Sequence, residues 1–150
     1  MIPFNKPYMT GDELNYISEA HANGKLAGDG TFTKYCHQFL EDCIGSKKVF
    51  LTHSCTGALE MAAILLDIQP GDEVIIPSYT FVSTANAFVK FGANIVCVDS
   101  LKNHPNIDPI EIEKNITKKT KAICIVHYGG WSCNMDKIVK ICKKYNIILL

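Results

Sequence analysis

Pro70-Gly71-Asp72-Glu73-Val74-Ile75-Ile76-Pro77-Ser78-Tyr79-Thr80-Phe81-Val82-Ser83-Thr84-Ala85-Asn86-Ala87 is the stretch that decides the fold. It is entered through a turn, Gln69-Pro70-Gly71-Asp72, and runs on as an unbroken apolar strand over 73–77. A helix over 82–89 follows, closed by Gly92. A strand with one wet face alternates apolar and polar residues. A continuously apolar strand is covered on both faces, which is the habit of parallel sheets.

The same unit repeats on both sides. Downstream lie a strand at 95–98, a helix at 110–116, a strand at 122–126, a helix at 136–145 and a strand opening at 147–150. Upstream, Val49-Phe50-Leu51-Thr52 is rich in strand formers, and a helix over 56–66 places Leu59, Ala62, Ala63 and Leu66 on one face. This alternation predicts an α/β fold with a mostly parallel sheet and helices on both faces. Two helical stretches precede it. One starts at Gly11-Asp12-Glu13 and carries Leu14, Ile17 and Ala20 up to Gly24; the other covers 33–43, with Phe39, Leu40 and Cys43 as its apolar side. The glycine-rich 24–30 segment between them reads as a loop. We therefore expect an N-terminal helical segment over 1–45 and a partial sheet domain over 46–150.

Composition narrows the function. The 150 residues are 47% hydrophobic and only 20% charged, with zero formal net charge. That argues against a nucleic-acid-binding surface. No apolar run is long enough to cross a bilayer, and Met1-Ile2-Pro3-Phe4-Asn5 does not read as a signal peptide, so a cytoplasmic protein with no membrane partner is expected. The seven cysteines show no C-x-x-C spacing. They read as small buried apolar residues in a reducing compartment, without disulfides or a metal site.

Three segments just past strands can carry chemistry. His53-Ser54-Cys55-Thr56-Gly57-Ala58 joins a strand to a helix start, where free backbone N–H groups and hydroxyls make a phosphate cradle. An ordinary N-cap by Ser54 or Thr56 is the plainer reading. Tyr79 and Phe81 place two aromatics where a flat ring can stack; taken alone, Phe81 reads more simply as core. His127-Tyr128-Gly129-Gly130-Trp131 puts a histidine after a buried strand, as ligand contact or as hydrogen-bonded scaffold, beside glycines that permit an unusual turn. Lys114, Lys118, Lys119 and Lys121 read as a solvated face.

Together these segments resemble one family. Ser54-Cys55-Thr56-Gly57-Ala58-Leu59-Glu60, the 70–87 stretch, Asn106-Ile107-Asp108-Pro109, His127-Tyr128-Gly129-Gly130 and Met135-Asp136 are similar, in order and spacing, to the DegT/DnrJ/StrS sugar aminotransferases. The resemblance implies the fold-type-I aminotransferase architecture, pyridoxal 5'-phosphate (PLP) as cofactor and a homodimer. It assigns Thr56 and Gly57 to the cofactor phosphate and Phe81 to stacking on the pyridine ring. Gly57 departs from the usual Ala or Ser, and Gly129 from the usual Ala or Tyr, so no catalytic weight falls on the second loop.

The reaction so implied is transamination of a nucleotide-linked keto-sugar with glutamate as amino donor. Met1-Ile2-Pro3-Phe4-Asn5 and Gly28-Asp29-Gly30 resemble more narrowly the members that make dTDP-4-amino-4,6-dideoxygalactose from a dTDP-4-keto-6-deoxy-sugar, for lipopolysaccharide or enterobacterial common antigen. The Schiff-base lysine and the aspartate facing the pyridine nitrogen have no counterpart in these 150 residues. The chain is thus expected to be an N-terminal fragment, inactive alone. Amination at another sugar carbon, a PLP-dependent sugar dehydratase and a non-catalytic gene remnant stay open as alternatives. The resemblance also implies strand order 95–98, 74–76, 122–126, 147–150, all parallel, and leaves 49–52 without a strand partner and its backbone unpaired.

Overall fold

The computed structural model describes residues 1–150. Its chain contacts divide it into two units, Met1–Leu51 and Thr52–Leu150.

The larger unit holds a four-stranded sheet. Its strands are β1 (Glu73–Pro77), β2 (Asn94–Val98), β3 (Thr120–Ile123) and β4 (Ile148–Leu149), in the order β2-β1-β3-β4. All three pairings are parallel, as expected. The helices are α3 (Cys55–Leu65), α4 (Ser83–Val89), α5 (Pro109–Lys114) and α6 (Met135–Tyr145). The connections β1 to β2, β2 to β3 and β3 to β4 contain α4, α5 and α6 respectively, the helical crossovers that parallel pairing demands.

Both faces of the sheet are buried, and β1 shows why its sequence does not alternate. Ile75 packs with Val98, Ile107, Ile112, Ile123 and Ile138 on one face. Its neighbours Val74 and Ile76 pack with Ala63, Ala87, Phe88 and Ala122 on the other. Full burial of each large side chain contributes about 1.5–3 kcal/mol, so these two layers outweigh any single polar contact. The turn before β1 is held by Asp72, whose carboxylate accepts from the Gln69 amide at 2.9 Å and from Lys121 Nζ at 3.0 Å. Those bonds, the amide first, hold its pKa below the usual carboxylate range. Lys121 is skipped in the pairing register between Glu73 and Val74. Of the four expected surface lysines it alone is half-buried, although Lys114 also forms an ion pair, with Glu111.

The smaller unit contains α1 (Glu13–Ala22) and α2 (Thr31–Ile44), joined by the expected loop. No residue of either helix is buried. Tyr16 meets Phe32 edge-on at 5.4 Å, and α2 stops at Gly45 in a left-handed conformation.

Two expectations need correction here. Residues 49–52 form no strand at all, although their composition favours one. Nor is their backbone left unpaired. The Val49 amide donates to Glu41 Oε1 at 3.0 Å, and the Leu51 amide to His37 Nε2 at 3.1 Å. Amides two residues apart face the same way in extended backbone, so one helix face serves both.

The cysteines also differ from expectation. Cys124, Cys133 and Cys142 are buried, but Cys36, Cys43, Cys55 and Cys97 are exposed. Two lie on α2, which buries nothing, one at the open start of α3 and one on the edge strand β2. Burial pushes the Cys124 thiol up to about 11, with a smaller contribution from Cys55, and burial raises Cys133 and Cys142 too. The thiolate is the reactive form. Iodoacetamide at pH 8 should therefore label the four exposed cysteines and spare these three until denaturant is added, as read by peptide mass spectrometry. Native labelling of Cys124 at the same rate as Cys36 would contradict the packing.

Candidate functional site

The carboxyl ends of parallel strands are where loops converge in such sheets. Here they border a cleft of about 510 Å³. It is lined from three directions: by Cys55, Thr56 and Leu59 of α3, by Thr80, Phe81, Ser83 and Thr84 after β1, and by Cys124 through Gly129 after β3. The three segments singled out in the sequence thus meet in one place.

The α3 start is both a cap and an opening. Ser54 is extended, and its Oγ accepts the Gly57 amide at 3.1 Å. The plain N-cap reading is therefore realised by Ser54 on Gly57, one of the two residues assigned to a phosphate. Gly57 does not line the cleft, and a Cβ there would stand 3.2 Å from His53 Cε1. Thr56 does line it. The Cys55 and Thr56 amides are the first of the helix and have no intrahelical acceptor. What the start offers outward is thus Thr56 with these two amides.

Phe81 does not enter the core. It is 75% exposed, beside the cleft, one residue before the N-cap of α4. The loop is fixed beneath it, since the Thr84 amide donates to the Phe81 carbonyl at 3.0 Å and Thr80 and Thr84 share a 2.8 Å hydroxyl bond. The two aromatics expected to act together are separated. Tyr79 pairs with Tyr128 at 4.7 Å between centroids, and their hydroxyls lie 3.2 Å apart. That bond raises the Tyr128 pKa.

The loop after β3 forms a short 3-10 turn, Tyr128–Gly130, with Gly129 at φ 63° and Gly130 at φ 83°. Only glycine takes two successive left-handed positions without strain. Sequence reasoning missed what holds this turn. Asn106, 2% exposed, accepts the Tyr128 amide at 3.0 Å and donates to the Trp131 carbonyl at 2.9 Å. Its signal was one asparagine in the quoted Asn106-Ile107-Asp108-Pro109 run, over twenty residues away in sequence. Asn106→Leu keeps the volume but leaves both backbone groups without this partner. The expected loss is about 1–3 kcal/mol in urea unfolding; an unchanged midpoint would show the clamp to be idle.

Chemically, the cleft offers hydroxyl and amide donors at one helix start, an exposed flat ring and an apolar wall of Cys124, Ile125 and Val126. No lysine and no carboxylate lines it. The lysines of the 114–121 run lie before or at the opening of β3, the opposite end of the strand from the cleft.

Comparisons with known proteins place the chain among sugar aminotransferases. The spore coat polysaccharide biosynthesis protein SpsC of Bacillus subtilis is 35% identical over 149 residues, 99% of this chain and 38% of that protein. A GDP-perosamine synthase of Escherichia coli O157:H7 is 33% identical over 150 residues, 99% of this chain and 41% of its own. The chain thus spans about two-fifths of the relatives it matches. Among solved structures, the sugar aminotransferase Spr1654 of Streptococcus pneumoniae in its PLP form superposes with a TM-score of 0.90 at 30% identity, covering 98% of this chain and 38% of that one. Its PMP form gives 0.89 at 31% identity, covering 95% and 36%. The family model for the DegT/DnrJ/EryC1/StrS aminotransferases matches residues 7–150. The chain belongs to the DegT/DnrJ/EryC1/StrS aminotransferase family, whose cofactor is pyridoxal phosphate.

Proposed function

We propose that residues 1–150 supply the cofactor cradle of a PLP-dependent sugar-nucleotide aminotransferase. The observation that carries this reading is a single cleft joining the Thr56 helix start to the exposed Phe81 ring. The residues fit the cofactor. A volume of about 510 Å³ lies in the range of small-molecule sites. Open amides and a hydroxyl at a helix start suit a phosphate, and an exposed aromatic face suits a pyridine ring.

When bound, pyridoxal phosphate supplies the electron sink that lets an amino group change carriers. The chain's own residues bind and orient. Thr56 would hold the phosphate through its hydroxyl and amide. Gly57 keeps the helix start compact against His53 while its amide is capped by Ser54. Phe81 would offer its exposed ring for stacking on the pyridine. Cys124, Ile125 and Val126 keep water from the apolar wall. Covalent attachment of the cofactor's aldehyde would need a lysine amine, which no cleft residue provides, so we infer that a lysine and a carboxylate from outside residues 1–150 complete the site and that the chain alone is inactive.

On this reading the complete protein is a cytoplasmic homodimer. It moves an amino group from glutamate to C4 of a dTDP-4-keto-6-deoxy-sugar, giving dTDP-4-amino-4,6-dideoxygalactose for surface polysaccharide. The resemblance of residues 1–5 and 28–30 supports the sugar; the name GDP-perosamine synthase on two relatives supports a nucleotide-sugar class.

The test has two stages. The reading frame is followed past codon 150, where Glu-Asp and a later lysine are expected. A stop codon or a histidine in the lysine's place overturns the aminotransferase reading. The encoded protein is then given glutamate and either the dTDP- or the GDP-linked 4-keto-6-deoxy-sugar, with products read by mass spectrometry. Preference for the GDP sugar overturns the substrate assignment alone.

A further inference from the structure

The turn after β3 holds one side chain in an unusual state of half-use. His127 lines the cleft and is exposed. Its Nδ1 accepts the Cys133 backbone amide at 3.1 Å. An imidazole nitrogen accepts only when it carries no proton, so the neutral ring has its proton on Nε2. Nε2 has no protein partner among the hydrogen bonds of the chain.

The surroundings fix this ring. Cys133, 4% exposed, also donates its thiol to the Val126 carbonyl at 3.2 Å. Asn106 clamps the next residue, Tyr128, and Trp131 beyond it. The residues on both sides of His127 are thus tied to buried partners. Of the other polar side chains in the cleft, Thr80 and Thr84 are bonded to each other and Tyr128 to Tyr79, while Thr56 and Ser83 offer hydroxyls but no N–H. His127 is therefore the cleft's one side-chain N–H donor, set in a single tautomer by a bond on its far side. The ring is exposed, so its Nε2–H is open to whatever occupies the cleft.

We propose that His127 is a ligand-contacting residue whose Nε2–H donates to an oxygen of the molecule bound in the cleft. This rests on the cofactor reading above, under which the acceptor is the ring phenolate or the phosphate. A donor at this position cannot serve a protonated pyridine nitrogen, which itself donates. The contact adds an orienting bond after β3 to those made by Thr56 and Phe81, so the ligand is held from three sides.

The test uses the 150-residue chain and pyridoxamine phosphate, whose amine does not condense with lysines and whose fluorescence reports binding. In His127→Asn the side-chain oxygen can still accept the Cys133 amide, but the reach into the cleft is lost. In His127→Gln an amide N–H reaches towards the Nε2 position. The Asn variant should bind about 10–100-fold more weakly, and Gln should restore affinity to within a few-fold of wild type. Rescue by Gln is what a merely structural role would not give. Repeating the titrations with pyridoxamine, which lacks the phosphate, separates the acceptors: a penalty that persists assigns the phenolate, and one that vanishes assigns the phosphate. Equal affinity of wild type and Asn, or equal losses in Asn and Gln, overturns the proposal and leaves the cofactor reading standing. Failure of the wild-type chain to bind pyridoxamine phosphate overturns both. As a separate check, 15N spectra at pH 8 should show the His127 proton on Nε2; a proton on Nδ1 overturns the assignment.

Discussion

The purified 150-residue chain is expected to give no turnover when supplied with PLP, glutamate and a keto-sugar nucleotide. The reason is the composition of the cleft, which holds hydroxyls, thiols, one imidazole and aromatics but no lysine. Transamination needs an amine that binds the cofactor covalently and shuttles a proton, and a positioned acid-base group alone accounts for about 10²–10⁴ in rate. The lysines present are engaged elsewhere or solvated. Lys90 pairs with Glu60, Lys121 with Asp72, and Lys144 with Glu113. PLP will still react loosely with exposed amines, so colour alone is a poor readout. Borohydride reduction followed by peptide mapping should find the cofactor scattered and substoichiometric. Stoichiometric capture at one lysine, accompanied by product, would defeat this expectation.

The second large effect concerns Thr56 and Phe81. Thr56→Val removes a hydroxyl partner of a charged phosphate while keeping the shape, a loss of about 1.5–3 kcal/mol, or roughly 10–100-fold in pyridoxamine phosphate affinity. Phe81→Ala removes an aromatic face, about 0.5–1.5 kcal/mol beyond its area. Because Phe81 is 75% exposed, that change should leave folding intact. The two residues come from different elements but would share one ligand, so the double variant measures how strongly their losses are coupled. Ser54→Ala is the informative control. It removes the cap on Gly57 and costs about 0.5–2 kcal/mol of helix stability, without touching the proposed phosphate contact. If both Thr56→Val and Phe81→Ala bind pyridoxamine phosphate like wild type, the cofactor assignment is wrong.

Residues 73–77 show why so much of the fold was legible. Val74, Ile75 and Ile76 are all buried because both faces of β1 are covered, and a central parallel strand has no wet side to record. Strand order came from family resemblance, not from periodicity, which carries no information about neighbours. Residues 49–52 show the limit. A strand needs a partner as well as a composition, and here Glu41 and His37 take the amides instead. β3 was expected at 122–126 but is Thr120–Ile123, although Cys124 and Ile125 still donate to Ile75 and Leu150. Such ends are a matter of definition as much as of structure.

The site was legible where local chemistry marks it and opaque where tertiary contacts decide. Thr56 and Phe81 were found from their places just after apolar runs. That Phe81 would stay out of the core depended on Thr80 and Thr84 bonding to each other beneath it. The role of Asn106 depended on a turn 22–25 residues further along. No periodicity could have shown either.

The parallel sheet also fixes where the chain leaves it. Leu150 is already in the ladder, donating to the Ile123 carbonyl at 2.9 Å and accepting from the Ile125 amide at 3.0 Å. Since every strand points the same way, anything joined to Leu150 emerges on the rim that carries Thr56, Phe81 and His127. A bulky purification handle fused there would crowd the ligand's entrance. A small environment-sensitive dye at the same place would instead become a built-in reporter, changing its emission as the entrance fills.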